Sequence, residues 1–241
     1  MTPLVFLHGV GGGHHAWELQ LPYFGGLGYP SHAWDQPGYG HSPSVEPYDL
    51  ARVSASLARL IESLSDEPVV LVGHSMGGMI AQETYTRHPM LVKAMALCFT
   101  SPAFAGGSSD FTRQFIAARI GPLDQGKTMA DIAAQLIPTM GSHSKLAEQI
   151  MAGVPPETYR KAVHLLTTFD RRKELPGIKV PTLMIAGSND KTAPPAMMER
   201  MAQKIPGAEY VLLEGCGHLG PMDQPDSFNA ALLAFLRRHK L

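Results

Sequence analysis

The sequence predicts an α/β protein: one mostly parallel sheet of about six strands, flanked by helices and interrupted by a helical insertion. Three observations carry this reading. Short apolar runs recur, each closed by turn residues, and they are continuous rather than alternating. That pattern suits strands buried on both faces, as in a parallel sheet. Between the runs lie segments with apolar residues at three- and four-residue steps, the period of an amphipathic helix. Finally, from about Ala103 to Lys173 no strand-like run occurs.

The elements follow in order. "PLVFLH", from Pro3, is the first strand, and the glycine-rich "LHGVGGGHHAW" (Leu7 to Trp17) leaves its end. "SHAWD", ending at Asp35, is a weaker strand. Leu50, Val53, Leu57, Leu60, Ile61 and Leu64 share one helix face. Further strands are "PVVLVG" from Pro68, "KAMALCF" from Lys93, "PTLMIAG" from Pro181 and "EYVLLEG" from Glu209. Phe228, Leu232, Phe235 and Leu236 mark a last helix, which closes on "RRHK", where cations suit the carboxyl end of the dipole. Alternation of strand and helix argues for βαβ units with right-handed crossovers. The strand-free stretch has Gly-Pro, Pro-Pro and Gly-Ser breaks, as a set of short helices would. Residues 1–102 and 174–241 are therefore expected to form the core domain, and 103–173 a helical cap.

Composition narrows the function classes. An apolar fraction of 44% with 17% charged residues over 241 positions describes a chain able to bury a substantial core. The formal net charge of -1 gives no electrostatic argument for nucleic acid or an anionic membrane. Cys98 and Cys216 are too few and too far apart for a disulfide framework or a zinc site, and fit a reducing compartment. The amino-terminal apolar run is too short for a signal peptide or a membrane span. A cytoplasmic protein is the expectation.

The chemistry is carried by "LVGHSMGGMIAQ", Leu71 to Gln82. Within it "GHSMG" fits G-x-S-x-G between a strand and a helix, the context of a nucleophile elbow. Gly73 and Gly77 leave room for a sharp turn, and Ser75 is held at the strand's carboxyl end. A serine hydroxyl is a weak nucleophile and needs a base, which needs an orienting acid. "IAGSNDKTAPP" puts Asp190 just after a strand, and "LLEGCGHLGPMDQP" puts His218 in the loop after the last one. Taken singly, Asp190 could be a helix cap and His218 a surface histidine. The order Ser75, Asp190, His218, each at a strand's carboxyl end, is far more specific. A tetrahedral oxyanion needs two N–H donors. Met76, after the nucleophile, supplies one. The glycine-rich loop supplies the other, Val10 being the first choice and Gly11 the alternate. His8 is expected to pack that loop.

At this point the chain resembles the α/β-hydrolase family, with "HGVGG", "DQPGYGHS", "GHSMGG", "GSNDKTAPP" and "GCGHLGPMDQP" in the family's order over nearly the whole length. The resemblance implies the α/β-hydrolase fold and a cap after the family's sixth strand. It also implies Ser75 as nucleophile, Asp190 as acid, His218 as base, Val10 and Met76 as oxyanion donors, and no cofactor. "DQPGYGHS" resembles a structural turn of the family. Members usually carry two strands before the "LHG" strand. Here Pro3 is almost immediately on that strand, so the sheet is expected to be short by up to two strands, leaving about six, all parallel. The implied activity is hydrolysis of a carboxylic ester or lactone of a small molecule by a monomer or homodimer. Amide or carbamate cleavage, a cofactor-free lyase or acyltransferase, and a small-molecule sensor remain alternatives.

Other features are less specific. His14, His15, His41, His74, His143 and His164 lack a ligand spacing with supporting carboxylates, so no metal is expected. Met129, Met140 and Met151 suit a pocket wall and a core equally. Arg113, Arg119 and Arg160 could meet a substrate carboxylate, but exposed helix positions are the simpler reading. Cys216 has no separate base and reads as a small buried residue.

Overall fold

The structure is a computed structural model that describes residues 1–104 and 109–241. All six expected strands form: β1 (Leu4–Leu7), β2 (Ser31–Trp34), β3 (Val69–His74), β4 (Val92–Cys98), β5 (Thr182–Gly187) and β6 (Glu209–Leu213). They make one sheet in the order β2-β1-β3-β4-β5-β6, and every pairing is parallel. The weak candidate "SHAWD" is the edge strand β2, only partly buried over its first three residues. Weak patterning there follows from having one sheet neighbour instead of two.

The continuous apolar runs have a direct cause. Successive side chains of a strand point to opposite faces. Val5, Leu7, Leu71, Leu97, Met184 and Ala186 enter one core, and Leu4, Phe6, Val72, Ala96, Leu183 and Ile185 enter the other. Helices α2 (Leu50–Leu64) and α3 (Met76–Arg87) help cover the first face; α1 (Gln20–Gly26) and α10 (Pro225–Arg238) cover the second. The α2 stripe is the expected one, and Asp49 caps it by accepting from Arg52 N–H at 2.8 Å.

Between β4 and β5 the described residues form four α-helices: α4 (Ser109–Asp124), α5 (Met129–Thr139), α6 (Lys145–Ala152) and α7 (Pro156–Thr167). The two ends of this insertion meet. Ala103 and Asp170 form an isolated antiparallel bridge, and Arg171 N–H donates to Pro102 O at 2.8 Å. After β5 come α8 (Pro195–Ala202), β6, the short α9 (Gly220–Asp223) and α10. Among the described residues no helix is long and apolar enough to cross a membrane.

Sheet order also locates the functional end. From β1 the chain moves outward to β2, then returns across the sheet to β3 on the other side of β1. The loops leaving the carboxyl ends of β1 and β3 therefore diverge, which opens a crevice of the kind that holds ligands in α/β sheets.

Candidate active site

Ser75 sits between the last residue of β3 and the first of α3, with φ 54° and ψ -119°. Non-glycine residues rarely adopt such a conformation, and it costs on the order of 1–3 kcal/mol. Several bonds hold it. Ser75 N–H donates to Cys98 O (2.9 Å), while Ser75 O accepts from Gly78 N–H (2.9 Å) and Thr100 Oγ1 (2.7 Å). The flanking glycines are required by contact. A Cβ on Gly73 would lie 2.5 Å from Gly77 O, and one on Gly77 would lie 2.1 Å from Leu7 O.

The structure brings the three separated residues into one chain of hydrogen bonds. His218 Nε2 is 3.0 Å from Ser75 Oγ, and His218 Nδ1 is 2.7 Å from Asp190 Oδ2. Asp190 Oδ1 is held in turn by the N–H groups of Thr192 (2.7 Å) and Ala193 (3.0 Å). Burial pushes the Asp190 carboxyl upward, but the His218 hydrogen bond and charge, with the two N–H donors, outweigh it and keep its pKa below the usual range. The loops bearing the acid and the base are themselves paired: Asn189 N–H donates to Cys216 O at 2.9 Å.

One partner of His218 had a sequence signal only in hindsight. His74, inside the elbow motif, places its Nε2 2.7 Å from His218 O. Burial, then the neighbouring His218, lowers the His74 pKa to about 3, so this ring is neutral and donates. The other histidines considered for metal do not converge: among the described residues no three His, Cys, Asp or Glu side chains form a metal-holding group. Burial pushes the Cys216 thiol up to about 12, which leaves it an inert buried residue.

The glycine-rich loop after β1 lies against the serine, for a Cβ on Gly9 would come within 3.0 Å of Ser75 Cβ. His8 packs it as expected. Its Nδ1 is 2.9 Å from Gly9 O, and its Nε2 accepts from Gln36 N–H at 3.2 Å. Burial lowers the His8 pKa to about 4, so it bonds as a neutral ring. Further along, Asp35 accepts from His14 N–H and faces His14 Nδ1, both at 2.8 Å. Asp35 and Gln36 open "DQPGYGHS", a motif singled out in the sequence without a chemical role; it fastens the loop. With the loop so held, neither Val10 N–H nor Met76 N–H, the latter at the first position of α3, donates to another group of the described residues.

Over Ser75 lies a cavity of about 660 Å³, within the range of small-molecule sites. Phe104, Phe111, Phe115, Leu136, Ile137 and Leu166 line it, all from the insertion. Leu165, grouped with them by sequence, turns instead into the core. Met140 and Met151 line the cavity, whereas Met129 is core. Two contacts tie the insertion to the His218 loop: His218 N–H donates to Met140 O, and Ser142 Oγ to Asp223 Oδ1, both at 2.8 Å. No sequence pattern could announce the second, because its partners are 81 positions apart.

Comparison with known proteins gives concordant results. Residues 4–231 match the model of the alpha/beta hydrolase family. A putative carbamate hydrolase, RutD, of Pseudomonas syringae is 30% identical over 97% of this chain and 93% of its own length. A putative non-heme bromoperoxidase, BpoC, of Mycobacterium tuberculosis is 29% identical over the same shares. Among solved structures, the enol-lactonase of Burkholderia xenovorans LB400 superposes with a TM-score of 0.85 at 25% identity, covering 98% of this chain and 92% of that one.

Proposed function

Because the chain belongs to the α/β hydrolase family, we propose that it is a serine hydrolase that cleaves a carboxylic ester or lactone of a small to medium-sized molecule. The observation that carries this reading is the unbroken chain Ser75–His218–Asp190, with bonds of 3.0 and 2.7 Å, at the floor of an apolar cavity. Asp190 holds the imidazole with Nδ1 as donor, so Nε2 presents a lone pair to the serine hydroxyl. As Ser75 Oγ attacks the carbonyl carbon, His218 takes the hydroxyl proton. The tetrahedral oxyanion is held by the N–H groups of Val10 and Met76; one such donor is commonly worth about 3–4 kcal/mol of barrier. Collapse expels the alcohol, which takes the proton from His218 and leaves an acyl group on Ser75. Water, deprotonated by His218, then releases the acid. None of these steps calls for a cofactor.

Residues 103–173 serve as the cap, excluding water and selecting the acyl group, and the working unit is a monomer or homodimer. Two buried free thiols, Cys98 and Cys216, suit a reducing cytoplasm. The similarity to a putative carbamate hydrolase favours carbamate cleavage as the second reading, since the same residues would serve. Purified protein should be assayed on p-nitrophenyl esters, lactones and carbamates. The ester reading expects many turnovers on short acyl esters or lactones. A single burst followed by stalling would instead indicate a sensor, and turnover of carbamates alone would move the assignment to the second reading.

A further inference from the structure

The cavity wall carries two cations, Arg119 of α4 and Lys191, and no carboxylate among the described residues. Arginines elsewhere in and beside the insertion are neutralised. Arg113 pairs with Asp110, Arg160 with Asp124 at 2.6 Å, and Arg171 with Glu83 at 2.5 Å. Arg119 has no such partner among the described residues. Its guanidinium stacks over the Phe115 ring at 5.2 Å and lies beside the Tyr159 hydroxyl. That hydroxyl is buried, and its O–H finds no hydrogen-bond acceptor. Burial raises the Tyr159 pKa, with Arg119 opposing the rise only in part, so the phenol remains a neutral donor.

A half-buried guanidinium without a counter-ion and a buried O–H without an acceptor are both unfavourable, and native proteins rarely leave such groups unpaired. Here the two deficits are adjacent, in the wall of the site. A carboxylate answers both: it accepts a forked pair of N–H bonds from arginine and one bond from the phenol. We propose that Arg119 and Tyr159 form a subsite for a carboxylate of the substrate, separated from the reacting carbonyl by an apolar stretch. The substrate would then be an ester or lactone that also carries a free acid. This rests on the hydrolase reading above but concerns only the choice of substrate.

The test compares methyl hexanoate with monomethyl adipate, an ester of the same chain length bearing a terminal carboxylate. A third substrate, the acetate ester of a hydroxy acid, puts the carboxylate in the leaving group. Wild-type protein should favour one of the two acidic esters over the neutral one in kcat/KM, and which one tells the half of the substrate that reaches Arg119. Arg119→Met should cut that preference by about 10- to 100-fold, the worth of a hydrogen bond to a charged group. Arg119→Lys should restore part of it, Tyr159→Phe should lose less, and Arg113→Ala should leave it intact. Adipate binding to the Ser75→Ala protein, followed by calorimetry, measures the subsite without turnover and should be lost on adding Arg119→Met. An unchanged preference and unchanged adipate binding in Arg119→Met would overturn the inference while leaving the hydrolase reading in place. So would transfer of the effect to Lys191→Met. Adipate binding that depends on Arg119, without turnover of any ester, would keep the subsite and overturn the hydrolase reading instead.

Discussion

The core and the insertion meet at the cavity, and they build their shares of it in different ways. On the core side, the groups around Ser75 are fixed by backbone. The serine is pinned by Cys98 O and Gly78 N–H, His218 hangs on Met140 O, and Asp190 is gripped by two consecutive amides. Gly73, Gly77 and Gly187 stand where any Cβ would strike backbone at 2.5 Å or less. On the insertion side the cavity is lined by side chains: Phe104, Phe115, Leu136, Leu166. Its polar attachments to the core include the Arg171–Glu83 and Lys161–Glu46 ion pairs, the Ser142–Asp223 bond, Thr158 Oγ1 on Gly38 O, and Met140 O, which accepts from His218 N–H. Backbone positioning tolerates little change, whereas a wall of apolar side chains can be recut residue by residue. The difference teaches where chemistry and specificity should separate under mutation.

The largest effect should come from the core. Asp190→Asn keeps the shape but offers an amide donor where His218 Nδ1 also donates. Turnover should fall about ten-thousand-fold with KM little changed; a loss below tenfold would place the orienting acid elsewhere.

Next in size are the attachments. Glu83 is fully buried on α3 and pairs with both Arg87 and Arg171. Glu83→Gln removes the charge that both arginines face, and breaking a buried pair from one side is costly. Urea unfolding should show a loss of roughly 3 kcal/mol, the low end for such pairs because the arginines are partly exposed. No change in the midpoint would mean that the junction contributes nothing to stability.

The glycine-rich loop predicts a pH dependence. Burial lowers His8 from 6.5 to about 4, and His74 to about 3, so the unfolded chain takes up protons that the folded one refuses. Their contribution is fully present above pH 6.5 and is lost as pH falls towards the folded values. For His8 alone this amounts to roughly 3 kcal/mol at about 1.4 kcal/mol per pKa unit. Melting temperature followed from pH 7.5 to about 4.5 should fall, and His8→Asn should flatten the slope by about one proton. An unaltered slope in the variant would contradict the neutral, buried assignment.

The smallest effect separates neighbours on one helix. Leu166 lines the cavity and Leu165 packs in the core. Leu166→Ala, like Leu136→Ala, should shift the preferred acyl length by about tenfold in relative kcat/KM while sparing an acetate ester. Leu165→Ala should cost about 2–5 kcal/mol of stability and affect every substrate alike. Equal losses across an acyl series in Leu166→Ala would refute the specificity role of this wall.

What could be read beforehand follows the same division. The four inner strands were legible because a two-faced buried strand must be apolar at successive positions, as "VVLVG" is; the edge strands β2 and β6 are only partly buried, and β2 was correspondingly weak in the sequence. Ser75, Asp190 and His218 could be grouped as a candidate site because each follows the carboxyl end of a strand and sits among glycines that a close backbone approach demands. Leu165 and Leu166 were not separable, since two adjacent leucines on a helix differ only in the direction that tertiary packing gives them. Ser142 and Asp223 were hidden for the same reason: their bond spans the sequence and follows no period. Arg119 was indistinguishable from Arg113 and Arg160 until the acids beside those two were located.

The hydrolase reading requires Ser75 to be the group that bonds to the substrate. The most direct measurement is labelling with an alkyl fluorophosphonate, which phosphonylates an activated serine, followed by peptide mass spectrometry alongside residual esterase activity. The expected result is one adduct per chain, on the peptide carrying Ser75, with activity lost in proportion and no adduct in Ser75→Ala. An adduct on another residue, or full ester turnover after Ser75 is blocked, would contradict the account.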